Sequence, residues 1–431
     1  MPVRLSAYPA WLVYAGVWSF VGALSWTTAA VYFIRDVGMS PLELVLAGTA
    51  LEVAYFCFEV PTGVVADLYS RRLSLVIGAA VSGVAMILTG AVPEVPVVLG
   101  AAAIWGVGWT FRSGAEDAWL ADEVGAAGLG PVYQRSAQVD RVTGLLGIAG
   151  AVALALVDLR LPMLVAGVVA LGLAVFVAVA MPERGFARGP LPGGTTHLAA
   201  AAATARAGLA LTRSQRVLLL VLAITFVMGM WAEGFDRLWE AHLLLEVGLP
   251  SLAGLGDVAW FGVIAAGSLV LSFVVAAPLV TRVERLDQRG LAGFLLLLHA
   301  LLMVAALGFA LSGSLVAALA AFWSTSVVRE LAGAPYRTWL NGAIADSRVR
   351  ATVLSIAGVS GSAGEWAGGP ALGAIGTRWS VRTALVVGAL LIAPALVLFA
   401  RALGHGGREP GLERVPPGSG SAGQDRSTAG R

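Results

Sequence analysis

Long apolar runs, separated by short polar breaks, recur along the whole chain. Each run can cross a hydrocarbon core of about 30 Å as an α-helix, because about 20 residues are enough. The apolar run at the start exceeds the core of a signal peptide, which indicates a retained first helix. The pattern predicts twelve membrane-spanning helices, called spans 1 to 12 in chain order, over residues 10–34, 42–66, 73–92, 95–121, 134–157, 161–181, 216–244, 255–281, 289–312, 314–344, 350–376 and 380–402.

The longest polar break mixes Pro, Gly and Thr with arginines and divides the chain nearly in half. Such a composition is typical of a linker. The tail is rich in Gly, Ser and Pro, which predicts disorder. We therefore expect a six-helix bundle over residues 1–181, a cytoplasmic linker over 182–215, a second six-helix bundle over 216–403 and a disordered cytoplasmic tail over 404–431.

Composition supports a membrane protein. Hydrophobic residues make up 58% of the chain, charged residues 13%, and the mean hydropathy is +0.84. A soluble protein has about 45–50% apolar and about 25% charged residues. The net charge of +2 says little about partners, and no nucleic-acid-binding element is visible. The single cysteine, Cys57, permits no intrachain disulfide and no cysteine-based metal site. We expect Cys57 to be a small buried hydrophobe, and we expect no metal or cofactor.

Arginine placement predicts the orientation. With the N-terminus inside, nineteen arginines fall in inner segments, and four fall in outer loops: Arg35, Arg160, Arg378 and Arg382. Cytoplasmic loops carry an excess of basic residues, so both termini are predicted to be cytoplasmic. The chain is then a multi-pass protein of the cell (inner) membrane.

The two halves of the sequence are similar to each other. "FIRDVGMSPLEL" (33–44) follows span 1, and "LLLEVGLPSLAG" (243–254) follows span 7. "EDAWLADEV" (116–124) ends span 4, and "YRTWLNGAI" (336–344) ends span 10. Similar segments in the same order, entering from the same side, indicate a parallel repeat about an axis along the membrane normal. That repeat is typical of transporters built from two six-helix halves.

The inner end of span 2 carries a motif. In "EVPTGVVADLYSRR" (59–72), Gly63, Ala66, Asp67, Arg71 and Arg72 match a Gly-x-x-Ala-Asp-x-x-x-Arg-Arg pattern. The segment resembles the signature loop of the major facilitator superfamily, and the resemblance covers about residues 10–402. It implies an all-α membrane protein with twelve transmembrane helices in two six-helix halves.

The resemblance also implies a role for the motif as a cytoplasmic gate that latches the two halves shut. Asp67 is placed to pair with an arginine or with a helix N-terminus, here that of span 11. For Arg71 and Arg72 an ordinary role as topology determinants at the anionic inner surface stays open. The corresponding segment of the second half, "PLVTRVERLDQR" (278–289), keeps arginines but lacks the Gly-x-x-Ala-Asp core.

Charged residues inside the spans suggest a transport pathway. A charge at the centre of a membrane helix costs at least about 2.5–3.5 kcal/mol. The chain has ten acids there against five arginines, so full mutual neutralisation is impossible. The acids are Glu52, Glu59, Glu116, Asp117, Asp140, Glu233, Asp236, Glu240, Glu330 and Glu365, and the bases are Arg112, Arg141, Arg237, Arg329 and Arg337. Several acids must be protonated, border water or await a cation.

Helical spacing groups these charges into a candidate proton-coupling and substrate cavity. The groups are Glu52, Tyr55 and Glu59 on span 2; Arg112 and Glu116 on span 4; Glu233, Asp236, Arg237 and Glu240 on span 7; Arg329, Glu330 and Arg337 on span 10; and Glu365 alone on span 11. The family resemblance implies that spans 1, 4, 7 and 10 line the cavity. For Glu365 a structural role is an open alternative, and Asp140 with Arg141 is interpreted as an interface pair.

Tryptophans on the same four spans add aromatic surface that favours amphipathic cations, although ordinary packing is an alternative for each. They are Trp18, Trp26, Trp119, Trp231, Trp239, Trp323 and Trp339. We therefore expect a monomeric secondary transporter, a proton-coupled exporter of hydrophobic or cationic small molecules. An importer or exchanger of a small metabolite, possibly an anion, is the main alternative. A membrane receptor or enzyme is the other, but the sequence has no P-loop, HExxH or GxSxG motif.

Overall fold

A computed structural model of the chain describes residues 5–186, 216–252, 255–283, 286–342 and 350–405. The regular structure of these ranges is helical throughout. The helices are Ala7–Trp26 and Ala29–Arg35 (span 1), Pro41–Leu68 (span 2), Arg71–Ala91 (span 3), Val95–Val124 (span 4), Ala126–Ala155 (span 5), Leu161–Ala180 (span 6), Arg216–His242 with the π-helical turn Leu243–Val247 (span 7), Val258–Val283 (span 8), Gln288–Leu311 (span 9), Leu315–Gly342 (span 10), Arg350–Arg378 (span 11), and Val381–Leu390 with Ile392–His405 (span 12). The predicted all-α fold of twelve spans is confirmed.

Ten of the spans in the described residues are long and apolar enough to cross a membrane. Span 8 adds a shorter apolar segment, Val258–Leu271. Of the predicted linker, residues 187–215 lie outside the described residues, and so do residues 406–431 of the predicted tail.

Spans 1 and 12 are each broken once. In span 1 the hydroxyls of Ser25 and Thr27 donate to the carbonyls of Val21 and Ala23 at 2.7 and 2.6 Å. Such bonds compete with the helical backbone pattern, and the helix stops before Thr28. In span 12 the break falls just before Pro394, whose ring clashes with a continuous helix one turn earlier.

Span 5 begins at Ala126, earlier than the predicted residue 134. Gly125 connects it directly to span 4, with a positive φ of 72° that glycine adopts without a Cβ penalty. Hydropathy detects only the apolar part of a helix, so it predicts a loop for the polar first turns of span 5.

The two halves, spans 1–6 and spans 7–12, meet mainly along spans 2 and 11 and along spans 5 and 8. Glycines bring spans 2 and 11 together. A Cβ on Gly373 would lie 3.0 Å from the Cα of Leu42, and a Cβ on Gly376 would lie 3.0 Å from the Cβ of Pro41. Small residues permit this close approach of membrane helices.

We call the end of the bundle with these contacts the closed face, and the other end the termini face. At the closed face Arg35 forms an ion pair with Asp257, and the Leu42 N–H donates to Thr377 Oγ1 at 2.9 Å. At the termini face the Leu5 N–H donates to the Ala180 carbonyl at 3.0 Å. The halves are therefore bonded to each other at the closed face.

Candidate functional site

A buried charged cluster joins spans 1 and 4 in the first half. Arg112 Nε and Nη2 donate to Glu116 Oε1 at 2.8 and 2.5 Å, as the i,i+4 spacing predicts. The Tyr14 hydroxyl donates to the same oxygen at 2.5 Å and accepts from Arg112 Nε at 3.2 Å. The Arg112 guanidinium carbon lies 3.5 Å from the ring centroid of Trp18. These contacts neutralise a guanidinium whose residue is only 4% exposed.

Small residues make room for Arg112. A Cβ on Gly78 of span 3 would lie 2.6 Å from Arg112 Cγ. Arg112 Nη1 is buried and makes no hydrogen bond with the described residues. A buried donor of a charged group that makes no hydrogen bond lowers the free energy of unfolding, so this one nitrogen destabilises the fold.

In the second half, Glu233 and Arg237 of span 7 form an ion pair, with 3.0 Å between Oε1 and Nε. Glu233 is 7% exposed, because it lies between the two halves. Gly48 of span 2 contacts both side chains, and a Cβ on Gly369 of span 11 would lie 2.8 Å from Glu233 Cγ. Two glycines thus let the ion pair reach the interface between the halves.

Asp236 of span 7 pairs with Arg329 of span 10. The two prongs of the guanidinium each donate to one carboxylate oxygen, one of them at 2.9 Å. The Arg329 guanidinium carbon also lies 5.2 Å from the ring centroid of Trp231. This planar, two-bond contact fixes spans 7 and 10 relative to each other.

Two adjoining compartments between the halves form what we call the central cavity. Their volumes are about 330 and 410 Å³. Both are lined by Trp26, Leu51, Trp105 and Arg237. The first compartment also holds Asp236, Trp239 and Glu240, and the second holds Glu52, Tyr55 and Trp109. The cavity combines tryptophan faces with carboxylates from both halves.

Acids outnumber bases around this cavity. Glu52 interacts electrostatically with Glu233 and Arg237, and Glu365 interacts with Glu52, Glu233, Asp236 and Arg237. Glu240 interacts with Arg237 and Asp236. Among the described residues, five carboxylates therefore share two arginines, Arg237 and Arg329, and each arginine already has one carboxylate partner. Protons or a bound cation could balance the other three carboxylates.

Glu59 follows Glu52 on span 2 and lies nearer the termini face. It has no arginine partner among the described residues. Both of its carboxylate oxygens lie 3.2 Å from the Ser113 hydroxyl of span 4. Tyr55 interacts with Glu59 and Ser113 as well. The predicted span 2 face of Glu52, Tyr55 and Glu59 thus points toward span 4.

The motif at the end of span 2 makes its contacts within the first half. Arg71 forms an ion pair with Asp122 of span 4, and Arg72 lies 3.9 Å from Glu183 after span 6. Asp67 is exposed, and a Cβ on Gly63 would meet nothing within 4 Å among the described residues. Residues 343–349, just before span 11, lie outside the described residues, so the gate role of Asp67 stays a prediction.

Other predicted residues lie away from the cluster. Glu330 and Arg337 are both exposed, and the structure gives no ion pair between them in the described part of the chain. Trp119 and Trp339 are buried in hydrophobic cores, and Cys57 is exposed and not buried as expected. Cys57 lines an apolar groove between spans 2 and 4.

Sequence analysis missed three site residues, Tyr14, Trp105 and Trp109. Each had a usable signal. Tyr14 precedes Trp18 by four residues, so it shares the face of span 1 that contacts Arg112. Trp105 and Trp109 are also four residues apart and face the central cavity together.

A sequence profile of the Major Facilitator Superfamily matches residues 10–364. The chain belongs to this superfamily. The fold agrees with solved structures of transporters. The nucleoside transporter NupG superposes with a TM-score of 0.74 at 11% identity, over 93% of this chain and 99% of that one. A bacterial homolog of the human lysosomal transporter Spinster gives a TM-score of 0.65 at 16% identity, over 92% and 95%.

The human organic anion transporter MFSD10 gives a TM-score of 0.57 at 16% identity, over 91% of this chain and 97% of that one. No curated protein matches the sequence. At these identities the solved structures establish the fold alone. Membership of the superfamily makes this chain a multi-pass membrane transporter and not an enzyme.

Proposed function

We propose that the chain is a proton-coupled exporter of hydrophobic or cationic small molecules, which it moves by alternating access. The observation that carries this proposal is the central cavity, where Trp26, Trp105, Trp109 and Trp239 surround an excess of carboxylates. Aromatic faces and uncompensated carboxylates both attract amphipathic cations. The same carboxylates supply proton-binding groups.

Alternating access fits the way the halves are bonded. The ion pair of Arg35 with Asp257 and the hydrogen bond of Leu42 with Thr377 hold the closed face together. Rocking of one half against the other breaks these contacts and exposes the central cavity at that face. The gate motif with Asp67, Arg71 and Arg72 then closes the termini face.

Orientation and assembly complete the proposal. The excess of arginines in the predicted inner segments supports cytoplasmic termini in the cell (inner) membrane, so the termini face is the cytoplasmic one. The central cavity is built from a single chain, which supports a monomer as the transporting unit.

An importer or exchanger of a small anionic metabolite is the second candidate. Arg237 favours it, because this arginine lines both compartments of the central cavity and its side chain is 31% exposed. Its pairing with Glu233 and the surrounding carboxylates weigh against an anion. The compared structures include a nucleoside transporter and an organic anion transporter, so both substrate classes belong in any test.

The test is transport by the purified full chain in lipid vesicles with an imposed pH gradient. The panel contains lipophilic amines, quaternary cations, nucleosides and organic anions. Proton-coupled export of cations predicts that a gradient drives amines or quaternary cations against their concentration difference, and that collapsing the gradient stops this. Gradient-driven movement of anions alone would favour the second candidate. If substrate exchange did not depend on the pH gradient, transport would not be coupled to protons.

A further inference from the structure

The second half contains a cavity of its own. It has a volume of about 310 Å³ and lies among spans 7, 9, 10 and 11. We call it the C-half cavity. The Asp236–Arg329 ion pair stands between the two spaces, because Asp236 lines the central cavity and Arg329 lines the C-half cavity. The volume is at the small end of the range for small-molecule sites, about 300–1,000 Å³.

The cavity has mostly apolar walls with a few polar groups, as small-molecule sites do. Ile224, Met228, Trp231 and Leu302 supply apolar walls. The polar lining consists of His299, Tyr336, Thr225, Arg329 and Glu365. A few polar groups on an apolar wall fix the orientation of a ligand.

His299 presents an acceptor to the cavity. The residue is 6% exposed, and its Nδ1 lies 2.7 Å from the Leu295 carbonyl. A carbonyl only accepts, so Nδ1 carries the proton and the neutral ring keeps the lone pair on Nε2. Phe399 packs on the ring, at 4.6 Å between centroids, and holds it in place.

Tyr336 and Thr225 add oxygen atoms. The Thr225 hydroxyl donates its proton to the Val221 carbonyl at 2.6 Å, which leaves its oxygen as an acceptor. The Tyr336 hydroxyl is buried, and its one polar neighbour among the described residues is Thr225, so its oxygen can still accept a hydrogen bond. A buried polar group of this kind calls for a partner.

The cavity has one carboxyl group without an arginine of its own. Both prongs of Arg329 are taken by Asp236, and its face is turned to Trp231. Glu365 has no ion pair in the described residues, and three of its four electrostatic neighbours, Glu52, Glu233 and Asp236, are carboxylates. The fourth, Arg237, is paired with Glu233. The cavity therefore offers acceptors and one uncompensated carboxylate.

We propose that the C-half cavity binds a compact organic amine in its protonated form, separately from the central cavity. The ammonium group lies at Glu365, and its three N–H groups donate to Glu365, to His299 Nε2 and to the Tyr336 oxygen. The apolar body packs against Met228, Leu302 and Trp231. Such a site deepens the proposed function. Transport of the bound amine rests on that function, but binding does not, because binding needs no gradient.

Two probes with the same apolar body test the proposal. Phenethylamine has three N–H donors when protonated, and phenethyltrimethylammonium has none. Isothermal titration calorimetry on the purified full chain, without a membrane gradient, gives the Kd of each. We expect the amine to bind at least about tenfold more tightly, because hydrogen bonds to charged groups are worth about 1.5–3 kcal/mol.

Variants locate the site. Glu365→Gln should weaken phenethylamine at least about tenfold, and Tyr336→Phe, which keeps the ring, should weaken it about two- to fivefold. Tyr55→Phe removes a hydroxyl from the central cavity without changing its charge and should leave the Kd within about twofold. Size-exclusion chromatography shows whether Glu365→Gln folds. If it does not fold, Tyr336→Phe still tests the site.

Three results would overturn the proposal: absence of amine binding, equal Kd values for the two probes, or loss of binding in Tyr55→Phe with none in the C-half variants. The vesicle experiment separates this failure from failure of the proposed function. If phenethylamine binds as expected but no compound moves with the pH gradient, the site stands and proton-coupled export does not.

Discussion

Arg35, at the end of span 1, and Asp257, just before span 8, form a two-pronged ion pair that bridges the halves, with 3.0 Å between Nη1 and Oδ1. Their side chains are 46% and 19% exposed, so water screens the pair. Such a contact is worth about 0.2–1 kcal/mol. The ion pair can favour the state in which this face is closed without preventing it from opening, as a transporter requires.

Arg35→Gln should therefore open the closed face more often. A difference of about 1 kcal/mol changes the population ratio about fivefold. Replacing the single cysteine with Cys57→Ser gives a background without thiols, and Ala102→Cys places one in the central cavity. We expect a membrane-impermeant maleimide, added outside intact cells, to label this thiol about two- to fivefold faster in Arg35→Gln.

Arg378→Gln is the matched control for that experiment. Arg378 lies at the same face, stacks only on Trp379 and has no ion pair among the described residues. Its loss should leave the labelling rate unchanged. Equal rates in both variants would mean that the Arg35 pair does not hold the closed face.

The predicted topology can be tested in the same Cys57→Ser background. A cysteine at Glu94, between spans 3 and 4, should react with an impermeant reagent outside intact cells. A cysteine at Gly189, in the predicted linker, should react only after the membrane is permeabilised. The reason is the excess of arginines in the predicted inner segments. The reverse labelling pattern would invert the orientation, and with it the assignment of the gate and the direction of transport.

The buried cluster of the first half should contribute to stability. Glu116→Ala leaves the Arg112 guanidinium without its carboxylate, and loss of one partner of a buried ion pair costs about 3–5 kcal/mol. The Glu116 side chain is 24% exposed, so we expect a smaller loss, about 1–3 kcal/mol. The apparent Tm of the detergent-solubilised chain should fall by about 1–3 °C.

Glu59→Ala is the comparison for this variant, because the partners of Glu59, the hydroxyls of Ser113 and Tyr55, are uncharged, and Glu59 has no ion pair among the described residues. It should lower the Tm less. The double variant Arg112→Met, Glu116→Met should recover most of the loss, because it removes both charges. If Glu116→Ala and Glu59→Ala had the same Tm, the ion pair would have no special part in stability.

This cluster shows which contacts could be predicted from the sequence. Arg112 and Glu116 lie four apart on one helix, and helical geometry alone predicts their pairing. Tyr14 comes from another span, and Asp236 finds Arg329 across 93 residues of chain. Such pairs depend on how each helix is rotated in the bundle. Hydropathy finds the spans but carries little information on rotation, because lipid-facing and core-facing residues are both apolar.

The same limit explains the two remaining differences. Cys57 is apolar enough for a buried or an exposed position, and it lines an exposed apolar groove and not the core. For Arg71 and Arg72 the sequence predicts a position at the membrane surface, and the structure adds an acidic partner for each in the first half. The partners, Asp122 and Glu183, stand at the ends of other spans, and only the packing of the bundle brings them close.

Asp67 should act in the gate and not in substrate binding. It is exposed at the termini face and lines neither compartment of the central cavity. Asp67→Asn should lower the turnover of the transported compound while its Kd stays within about threefold. Asp36→Asn, at the opposite face, is the control and should change neither. If Asp67→Asn weakened binding and left turnover at saturation intact, Asp67 would belong to the substrate site.

The proton is expected on Glu52 or Glu59 of span 2, although Glu116 and Glu233 are candidates as well. Glu116 and Glu233 already have arginine partners, with 2.5 and 3.0 Å between the charged atoms. Glu52 and Glu59 have no ion pair in the described residues, and an unpaired carboxylate inside a membrane protein tends to hold its proton. A carboxylate that takes a proton at one face and releases it at the other couples the gradient to the rocking of the halves.

Each of the four is therefore changed to Gln, which mimics the protonated acid without titrating. In vesicles, Glu52→Gln or Glu59→Gln should abolish accumulation driven by a pH gradient, while exchange of substrate at equal pH on both sides continues. Exchange needs the substrate site and the moving halves but no net proton movement, so it controls for folding and binding. Accumulation at the parental level in all four variants would rule these carboxylates out as proton carriers.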